Sequence, residues 1–327
     1  MGEHLIEIKD LKISFRQSNG LVQVVRGVDL CIKQGEIVGI LGESGCGKTV
    51  TATSILRLED EAAIYDSGRM FFKGRELTNL PEDAFQKIRG NQMAYIFQNA
   101  STALNPYKKI GRQLMEVLKC HGLPRSREKI LETLKSVGIS EAEIVYEMYP
   151  FQLSGGQNQR IMIAQGIVCG PDLLIADEPT SSVDVALRKV ILDVLKEINQ
   201  KTGMTIVLIT HDFEVVGYLC NRVVVMYGGL IMEEGAMTQV MSEPLHPYTQ
   251  ALRHCAQSMY QNGTELFTLS GAPPTPAEFK SECPFAPRCA HKLEVCLQEI
   301  PEMLTVQNRK VRCVLYKKEH SSGRSDL

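Results

Sequence analysis

The apolar positions of this chain follow strand and helix periods in turn. The stretches "LIEIKDLKISF" and "VVRGVDLCI" alternate apolar and polar residues, as half-buried antiparallel strands do. "GEIVGILG" (35–42) predicts a short buried strand, and "RMFFKG" and "MAYIFQN" predict two more. The continuous apolar runs in "DLLIADE" and "MTIVLITHD" are typical of parallel strands covered on both faces. "RVVVMYGGLIMEEG" predicts a hairpin that turns at Gly228 and Gly229.

Helical spacing appears between these strands. Ile110, Leu114, Val117 and Leu118 recur at helical intervals, which predicts a helical insertion, and a further helix is expected over about 185–200. The later stretch "SGAPPTPAEFKSE" lacks periodicity and is rich in Pro, Ser and Gly, as linkers are. The predicted organisation is an α/β domain over 1–255 with a helical subdomain at about 100–160, a linker over 256–282, a Cys-rich extension over 283–318 and a disordered tail over 319–327.

Composition narrows the class of protein. The 327 residues carry a net charge of −2, contain no Trp and are only 6% aromatic, so neither a basic surface nor stacking platforms indicate nucleic-acid binding. The N-terminus lacks the apolar segment of a signal peptide, and no apolar run reaches the ~18–20 residues of a membrane span. We therefore expect a cytosolic protein, in which the ten cysteines are core thiols, metal ligands or redox groups rather than disulfides.

A phosphate-binding loop is the strongest single motif. "GESGCGKT" fits G-x-x-x-x-G-K-[ST] and stands between a predicted buried strand and a predicted helix, a context that a chance Gly-rich turn would rarely have. Its glycines let main-chain N–H groups point at phosphate oxygens, its lysine supplies a point charge, and its threonine can bind Mg²⁺. The residues of the motif are Gly42, Glu43, Ser44, Gly45, Cys46, Gly47, Lys48 and Thr49.

Two acids end the predicted strand "LLIADE". Ligands bind at the carboxyl ends of strands in open α/β sheets, so Asp177 is expected to hold Mg²⁺ and Glu178 to polarise an attacking water. Taken alone, the two acids could equally cap a strand end. Together with the phosphate-binding loop they indicate nucleotide hydrolysis.

The motif "LSGGQ" narrows the class further. Ser154 is a good N-cap residue, and the glycines permit close backbone approach, so a second helix N-terminus suited to an anion is predicted. One nucleotide cannot easily use both sites in one subunit. A dimer, in which this helix faces the partner's γ-phosphate, is a natural solution. The residues assigned to this role are Ser154, Gly155, Gly156 and Gln157.

With these motifs, residues 3–255 resemble the nucleotide-binding subunit of an ABC transporter. The resemblance implies that Gln98 contacts Mg²⁺ and senses the γ-phosphate, that Asp184 is the D-loop aspartate, and that His211 is the switch histidine. It also implies a P-loop NTPase core with an antiparallel β subdomain and a helical subdomain. Phe15 is the candidate for stacking on adenine, although a Phe after a β pattern is also a common core residue.

Several segments resemble a narrower group, the oligopeptide/dipeptide/nickel importers. Leu104, Asn105 and Pro106 fit the S-L-N-P that follows the glutamine loop, and "HPYTQAL" fits a second segment. The resemblance implies an ATPase that drives peptide import from the cytoplasmic face of the membrane. Its implied partners are a second homologous ATPase subunit, two transmembrane permease subunits and a solute-binding protein. A nickel or metal-chelate importer remains an alternative, as does a soluble ABC-type ATPase or an iron–sulfur sensor that only binds ATP.

The C-terminal cysteines also follow that group, in the pattern C-P-F-x-x-R-C, then Cys, then V-x-C. A segment this short has little hydrophobic core of its own and would gain folding free energy from a metal. Four thiolates suit Zn²⁺ or an iron–sulfur cluster about equally, and His291 could replace one ligand. The resemblance favours a [4Fe–4S] cluster, with Zn²⁺ and free or disulfide-bonded thiols as alternatives. The four candidate ligands are Cys283, Cys289, Cys296 and Cys313.

Overall fold

The computed structural model describes residues 4–18, 20–98, 103–181, 183–258 and 268–317, so the predicted disordered tail lies outside the described residues. The strands are β1 (His4–Gln17), β2 (Gly20–Lys33), β3 (Ile37–Leu41), β4 (Ala63–Phe72), β5 (Arg75–Glu76), β6 (Met93–Ile96), β7 (Leu173–Asp177), β8 (Thr205–Thr210), β9 (Arg222–Tyr227), β10 (Leu230–Ala236), β11 (Leu304–Val306) and β12 (Arg309–Val311). The α-helices are α1 (Lys48–Ser54), α2 (Glu82–Gln86), α3 (Ile110–Cys120), α4 (Arg127–Ser136), α5 (Ala142–Glu147), α6 (Gly155–Ile167), α7 (Val185–Thr202), α8 (Phe213–Leu219), α9 (Met237–Ser242) and α10 (Pro247–Ser258).

The chain forms two compact units. The first comprises Met1–Leu5, Ile32–Ile37 and Asn79–Ile209. In it, β6, β7 and β8 pair in parallel, and every residue of β7 and β8 is buried, as the continuous apolar runs predicted. Helices α3, α4, α5 and α6 pack on one another, in the stretch for which the sequence predicts a helical subdomain.

The second unit comprises Ile6–Cys31, Val38–Thr78 and Thr210–Leu327. Its buried strand β3 pairs in parallel with β9, and β9 and β10 form the predicted hairpin. A separate antiparallel sheet has the order β2-β1-β4-β5. The alternating patterns at the start of the chain therefore mark antiparallel strands, and the continuous pattern of β3 marks a parallel one, as expected.

The cysteine-bearing segment differs from the expected separate extension. Its strand β12 pairs with β10, and β11 pairs with β12, so the segment continues the sheet of the second unit. Val311 and Cys313 are buried together with Leu245, and the hydroxyl of Tyr316 donates to the Leu245 carbonyl at 2.9 Å. This segment therefore shares the hydrophobic core of the second unit and does not depend on a core of its own.

Across the described ranges, none of the helices combines the length and the apolar character that crossing a membrane requires.

Candidate nucleotide-binding site

The phosphate-binding loop lies in the second unit, between β3 and α1. Gly45 and Gly47 have φ of 79° and 96°, the left-handed region that favours glycine. A Cβ at Gly42 would overlap the main-chain carbonyl of Met226, so the loop can follow this path only with glycine there. The chain therefore places its glycines where backbone geometry needs them, and the loop has the tight curl that a phosphate cradle requires.

Lys48 is held inside this loop. Its side chain is only 6% exposed, and Nζ donates to the carbonyl oxygens of Gly42 and Glu43, each at 2.8 Å. The Sγ of buried Cys46 lies 3.8 Å from the same nitrogen, and burial raises the pKa of that thiol. Thr49 is exposed at the first turn of α1. The ammonium group is thus fixed inside the loop that is predicted to bind phosphate.

Residues from outside the loop hold both the main chain and the side chain of Glu43. Its N–H donates to the hydroxyl of buried Tyr248 at 2.9 Å. Its carboxylate pairs with Arg288, whose two terminal nitrogens lie 2.5 and 3.1 Å from the two carboxylate oxygens. Two residues from the C-terminal third of the chain therefore support the phosphate-binding loop.

The acid pair lies in the first unit. Asp177 is the last residue of β7 and accepts a hydrogen bond from the Tyr95 hydroxyl at 2.7 Å. Glu178 has φ of 43°, an unusual value for a residue with a side chain, and Gln98 Nε2 donates to Glu178 Oε2 at 3.0 Å. Such strain clusters at functional sites. The structure thus brings together Gln98 and Glu178, two residues that the sequence assigned to catalysis.

The predicted signature motif forms a capped helix start in the same unit. Ser154 Oγ accepts from the Gln157 N–H at 3.3 Å, and Gln157 Oε1 accepts from the Ser154 N–H at 2.9 Å. A Cβ at Gly156 would come within 2.7 Å of Leu187, so packing requires that glycine. A Cβ at Gly155 would meet no atom within 4 Å, so nothing inside this unit requires the first glycine.

The remaining predicted residues occupy distinct positions. Asp184 caps α7, where Oδ1 accepts from the Leu187 N–H at 3.0 Å. His211 is exposed and directly precedes Asp212, which caps α8 in the second unit. Phe15 is half-buried near the end of β1 and pairs with Ala63. Their roles toward a nucleotide stay predictions.

The four candidate metal ligands are free thiols in one neighbourhood of the second unit. Burial raises the pKa of Cys283 to about 11, with added repulsion from Cys296 and Cys289. Burial also raises the pKa of Cys313 to about 12, with added repulsion from the other three cysteines. The donor set is thus of the right type and mutually close. Across the described ranges, however, the structure shows no group of three or more His, Cys, Asp or Glu side chains that could hold a metal ion.

Three supporting residues escaped the sequence analysis. Tyr95 holds Asp177, and Tyr248 and Arg288 hold Glu43. Each belongs to a stretch noted for another reason, respectively "MAYIFQ", "HPYTQAL" and "CPFAPRC". Only their contacts, which sequence spacing does not provide, reveal what they do.

Comparison with solved structures defines the class of the fold. The family described as ABC transporter matches residues 25–181. Dimeric MJ0796, described as a bacterial ABC transporter cassette, is 27% identical with a TM-score of 0.63, covering 71% of this chain and 98% of that one. The cbiO1 protein from Clostridium perfringens is 25% identical with a TM-score of 0.64, covering 74% and 92%. The fold is therefore that of an ABC-type ATPase cassette.

Sequence relatives define the family. The family described as oligopeptide/dipeptide transporter, C-terminal region, matches residues 232–296. The oligopeptide transport ATP-binding protein OppD of Salmonella typhimurium is 40% identical over 299 residues, 89% of this chain and 88% of that protein. AppD of Bacillus subtilis, with the same description, is 40% identical over 321 residues, 96% and 98% of the two chains. The chain belongs to the family of oligopeptide and dipeptide transport ATP-binding proteins, which confirms the resemblance found in its sequence.

Proposed function

We propose that this chain binds and hydrolyses ATP as the motor subunit of an ABC importer for oligopeptides or dipeptides. Relatives described as oligopeptide or dipeptide transport ATP-binding proteins share about 40% identity with this chain over most of its length. The single observation that supports hydrolysis best is Glu178, which follows buried β7 with a left-handed backbone and accepts a hydrogen bond from Gln98. A family member that only bound ATP would not need an acid fixed in that way.

Each motif then has a chemical role. Lys48 neutralises charge on the β- and γ-phosphates, and Thr49 and Asp177 are the residues that would hold Mg²⁺, which would offset charge that develops on the phosphates. Glu178 accepts a proton from the attacking water, and Gln98 orients that carboxylate through the hydrogen bond it already makes. His211 contacts the γ-phosphate, and Phe15 stacks on the adenine.

A single substitution tests the hydrolytic role. Glu178→Gln keeps the size and hydrogen-bonding capacity of the side chain but removes its proton-accepting charge. Binding of MgATP should be retained, and turnover in the assembled transporter should fall at least about a hundredfold, the scale of general-base catalysis. Glu197→Gln is the matched control, because Glu197 is exposed on α7 and its ion pair with Lys201 is worth little. Equal turnover of Glu178→Gln and the wild type would refute the role of Glu178.

We also propose that the motor works as a pair. The open surroundings of Gly155 leave room for a ligand that the unit itself does not supply, which suits the γ-phosphate of a nucleotide on a second, homologous ATPase subunit. Two transmembrane permease subunits and an extracytoplasmic solute-binding protein complete the assembly, and this chain is bound to the permease subunits at the cytoplasmic face of the membrane. Gly155→Val should leave nucleotide binding by the isolated chain unchanged and prevent ATP-dependent dimerisation with its partner. Unchanged dimerisation, measured by light scattering, would contradict the pairing.

Finally, we propose that Cys283, Cys289, Cys296 and Cys313 hold a [4Fe–4S] cluster. Four thiolates would suit either a single Zn²⁺ or an iron–sulfur cluster. The pattern C-P-F-x-x-R-C, then Cys, then V-x-C, which resembles that of the importer group, supports the cluster. Because raised pKa values keep Cys283 and Cys313 protonated at neutral pH, assembly must release protons. Iron, sulfide and zinc analysis after anaerobic purification shows which metal these cysteines hold. A colourless protein with about one zinc per chain would refute the cluster.

A further inference from the structure

The segment around the first two tail cysteines lies against the phosphate-binding loop and its supports. The ring of Phe279 is 5.1 Å from the guanidinium of Arg26, which also donates to the carbonyl of Gly228 at 3.2 Å. A Cβ at Gly228 would come within 2.5 Å of Pro284. The Gly229 N–H in turn donates to the carbonyl of Cys46 in the loop, at 3.1 Å. The tail therefore packs on the same hairpin that holds the loop.

Arg288 makes the direct connection. Its guanidinium forms a two-pronged pair with the Glu43 carboxylate, at 2.5 and 3.1 Å. The same guanidinium donates to the Tyr227 hydroxyl at 3.0 Å and to the Ser270 carbonyl at 3.0 Å, so its plane is fixed from three directions. The Arg288 side chain is only 6% exposed, and that of Glu43 is 25% exposed. Solvent screening is weak at such a pair, and its two-pronged geometry makes it both strong and directional.

The pair acts on the part of the loop that handles charge. Glu43 is the second residue of the loop, and its carbonyl oxygen accepts one of the two short hydrogen bonds that hold Lys48 Nζ. Its N–H is already fixed by Tyr248. The Glu43 carboxylate would repel phosphate if it were unpaired, and Arg288 neutralises it. The path from Arg288 to the lysine ammonium thus runs through a single residue.

We propose that Arg288 is a positioning residue for nucleotide binding. It fixes Glu43 so that Lys48 and the loop N–H groups face the phosphates, and it cancels a negative charge that would otherwise oppose them. This inference rests on the proposed ATP-binding function and extends it to a residue of the cysteine-bearing segment.

The first experiment measures affinity for MgADP and a non-hydrolysable ATP analogue by calorimetry on the full chain. Arg288→Gln removes the positive charge, and Arg288→Lys keeps the charge but cannot make the two-pronged pair with the Glu43 carboxylate. We expect about tenfold weaker binding for Arg288→Gln and a smaller loss for Arg288→Lys, within the usual range of coupling between sites. The control is Arg312→Gln. Arg312 lies in the same segment as Arg288 but donates to the carbonyls of Ile231 and Pro301. The nucleotide affinity of this variant should stay within about twofold of the wild type.

A double-mutant cycle separates positioning from general damage to the fold. If Arg288 acts through Glu43, the loss caused by Arg288→Gln should shrink in a Glu43→Gln background, because no carboxylate then needs to be neutralised. In steady-state ATPase assays of the assembled transporter, KM should rise in Arg288→Gln while kcat stays within about twofold. Additive losses in the cycle, or a fall in kcat with unchanged KM, would overturn the proposal.

The outcomes also separate this inference from the proposed function. A wild-type chain that binds no nucleotide would refute the ATP-binding function itself. A wild-type chain that binds nucleotide while both Arg288 variants bind equally well would refute only the positioning role. Thermal unfolding without nucleotide identifies folded variants. If Arg288→Gln does not fold, Arg288→Lys decides, since an unchanged dissociation constant in that variant overturns the proposal.

Discussion

Phe285→Ala offers a sharp test of whether the cysteine-bearing segment belongs to the core of the ATPase. Phe285 is 2% exposed, and its ring centroid lies 5.4 Å from that of Tyr227, 5.3 Å from that of Tyr248 and 5.9 Å from that of His246. A segment that folded only as an appendage would lose nothing from the ATPase core when this ring is removed.

The expected cost follows from that packing. Truncating a fully buried Phe to Ala typically costs about 3–5 kcal/mol, because the transfer free energy of the ring is lost and a cavity remains. Each well-oriented aromatic pair contributes about 0.5–1.5 kcal/mol beyond buried area. We therefore expect Phe285→Ala to lower the free energy of unfolding by about 4 kcal/mol.

Urea unfolding of the full chain, monitored by circular dichroism, measures this change. Leu297→Ala is the control, because Leu297 lies in the same segment but is 49% exposed, and its cost should stay within about 0.5 kcal/mol. If the two variants unfold at the same urea concentration as the wild type, the segment does not share the core and our account of its packing fails.

Three further predictions test the site and its surroundings. Burial lowers the pKa of His246 to about 3, so between about pH 6.5 and 3 the unfolded chain binds a proton that the folded chain does not. The free energy of unfolding should therefore fall as the pH drops through that window. His246→Asn keeps a hydrogen-bond acceptor but does not titrate there, so it should flatten the pH dependence of the urea midpoint. Gly42→Ala should abolish nucleotide binding, because its Cβ overlaps a main-chain carbonyl. At Gly45 a Cβ would meet no atom within 4 Å, so Gly45→Ala should cost only about 1 kcal/mol of backbone strain. Calorimetry compares the nucleotide affinities of the two variants, and urea unfolding compares their stabilities. Tyr95→Phe removes the hydrogen bond to Asp177. The Mg²⁺ concentration needed for half-maximal ATPase activity should rise several-fold, while metal-free nucleotide binding should not change. An unchanged Mg²⁺ titration would contradict that role.

The sequence predicted most of what depends on local pattern. The buried strands β3, β7 and β8, the hairpin at Gly228 and the phosphate-binding loop follow from apolar runs and glycine positions that act over a few residues. Even the capped start of the signature helix was visible, since Ser154 is a good N-cap residue. Local chemistry thus specifies these elements almost independently of the rest of the chain.

Long-range contacts escaped prediction because no periodicity encodes them. The pairing of β12 with β10 involves one very short strand, and three-residue strands such as β11 and β12 give no usable alternation. Four cysteines in a short segment, together with the family resemblance, led us to predict a metal but not that the segment would share a core. Arg288 was noted only as the arginine of the C-P-F-x-x-R-C pattern, and its role could not be inferred until its partner, Glu43, was known.

The pair of Arg288 and Glu43 also bears on the order in which the protein matures. The two residues are separated by 245 positions in the chain, so the loop near the start is synthesised long before its support near the end. Domains generally fold as they emerge during synthesis, and contacts this distant in sequence form late. A nascent chain that has not yet reached Arg288 would therefore carry the phosphate-binding motif without its counter-charge. The full nucleotide affinity of the loop is then acquired only after Arg288 has been synthesised, which ties the affinity of the motor to a late stage of translation.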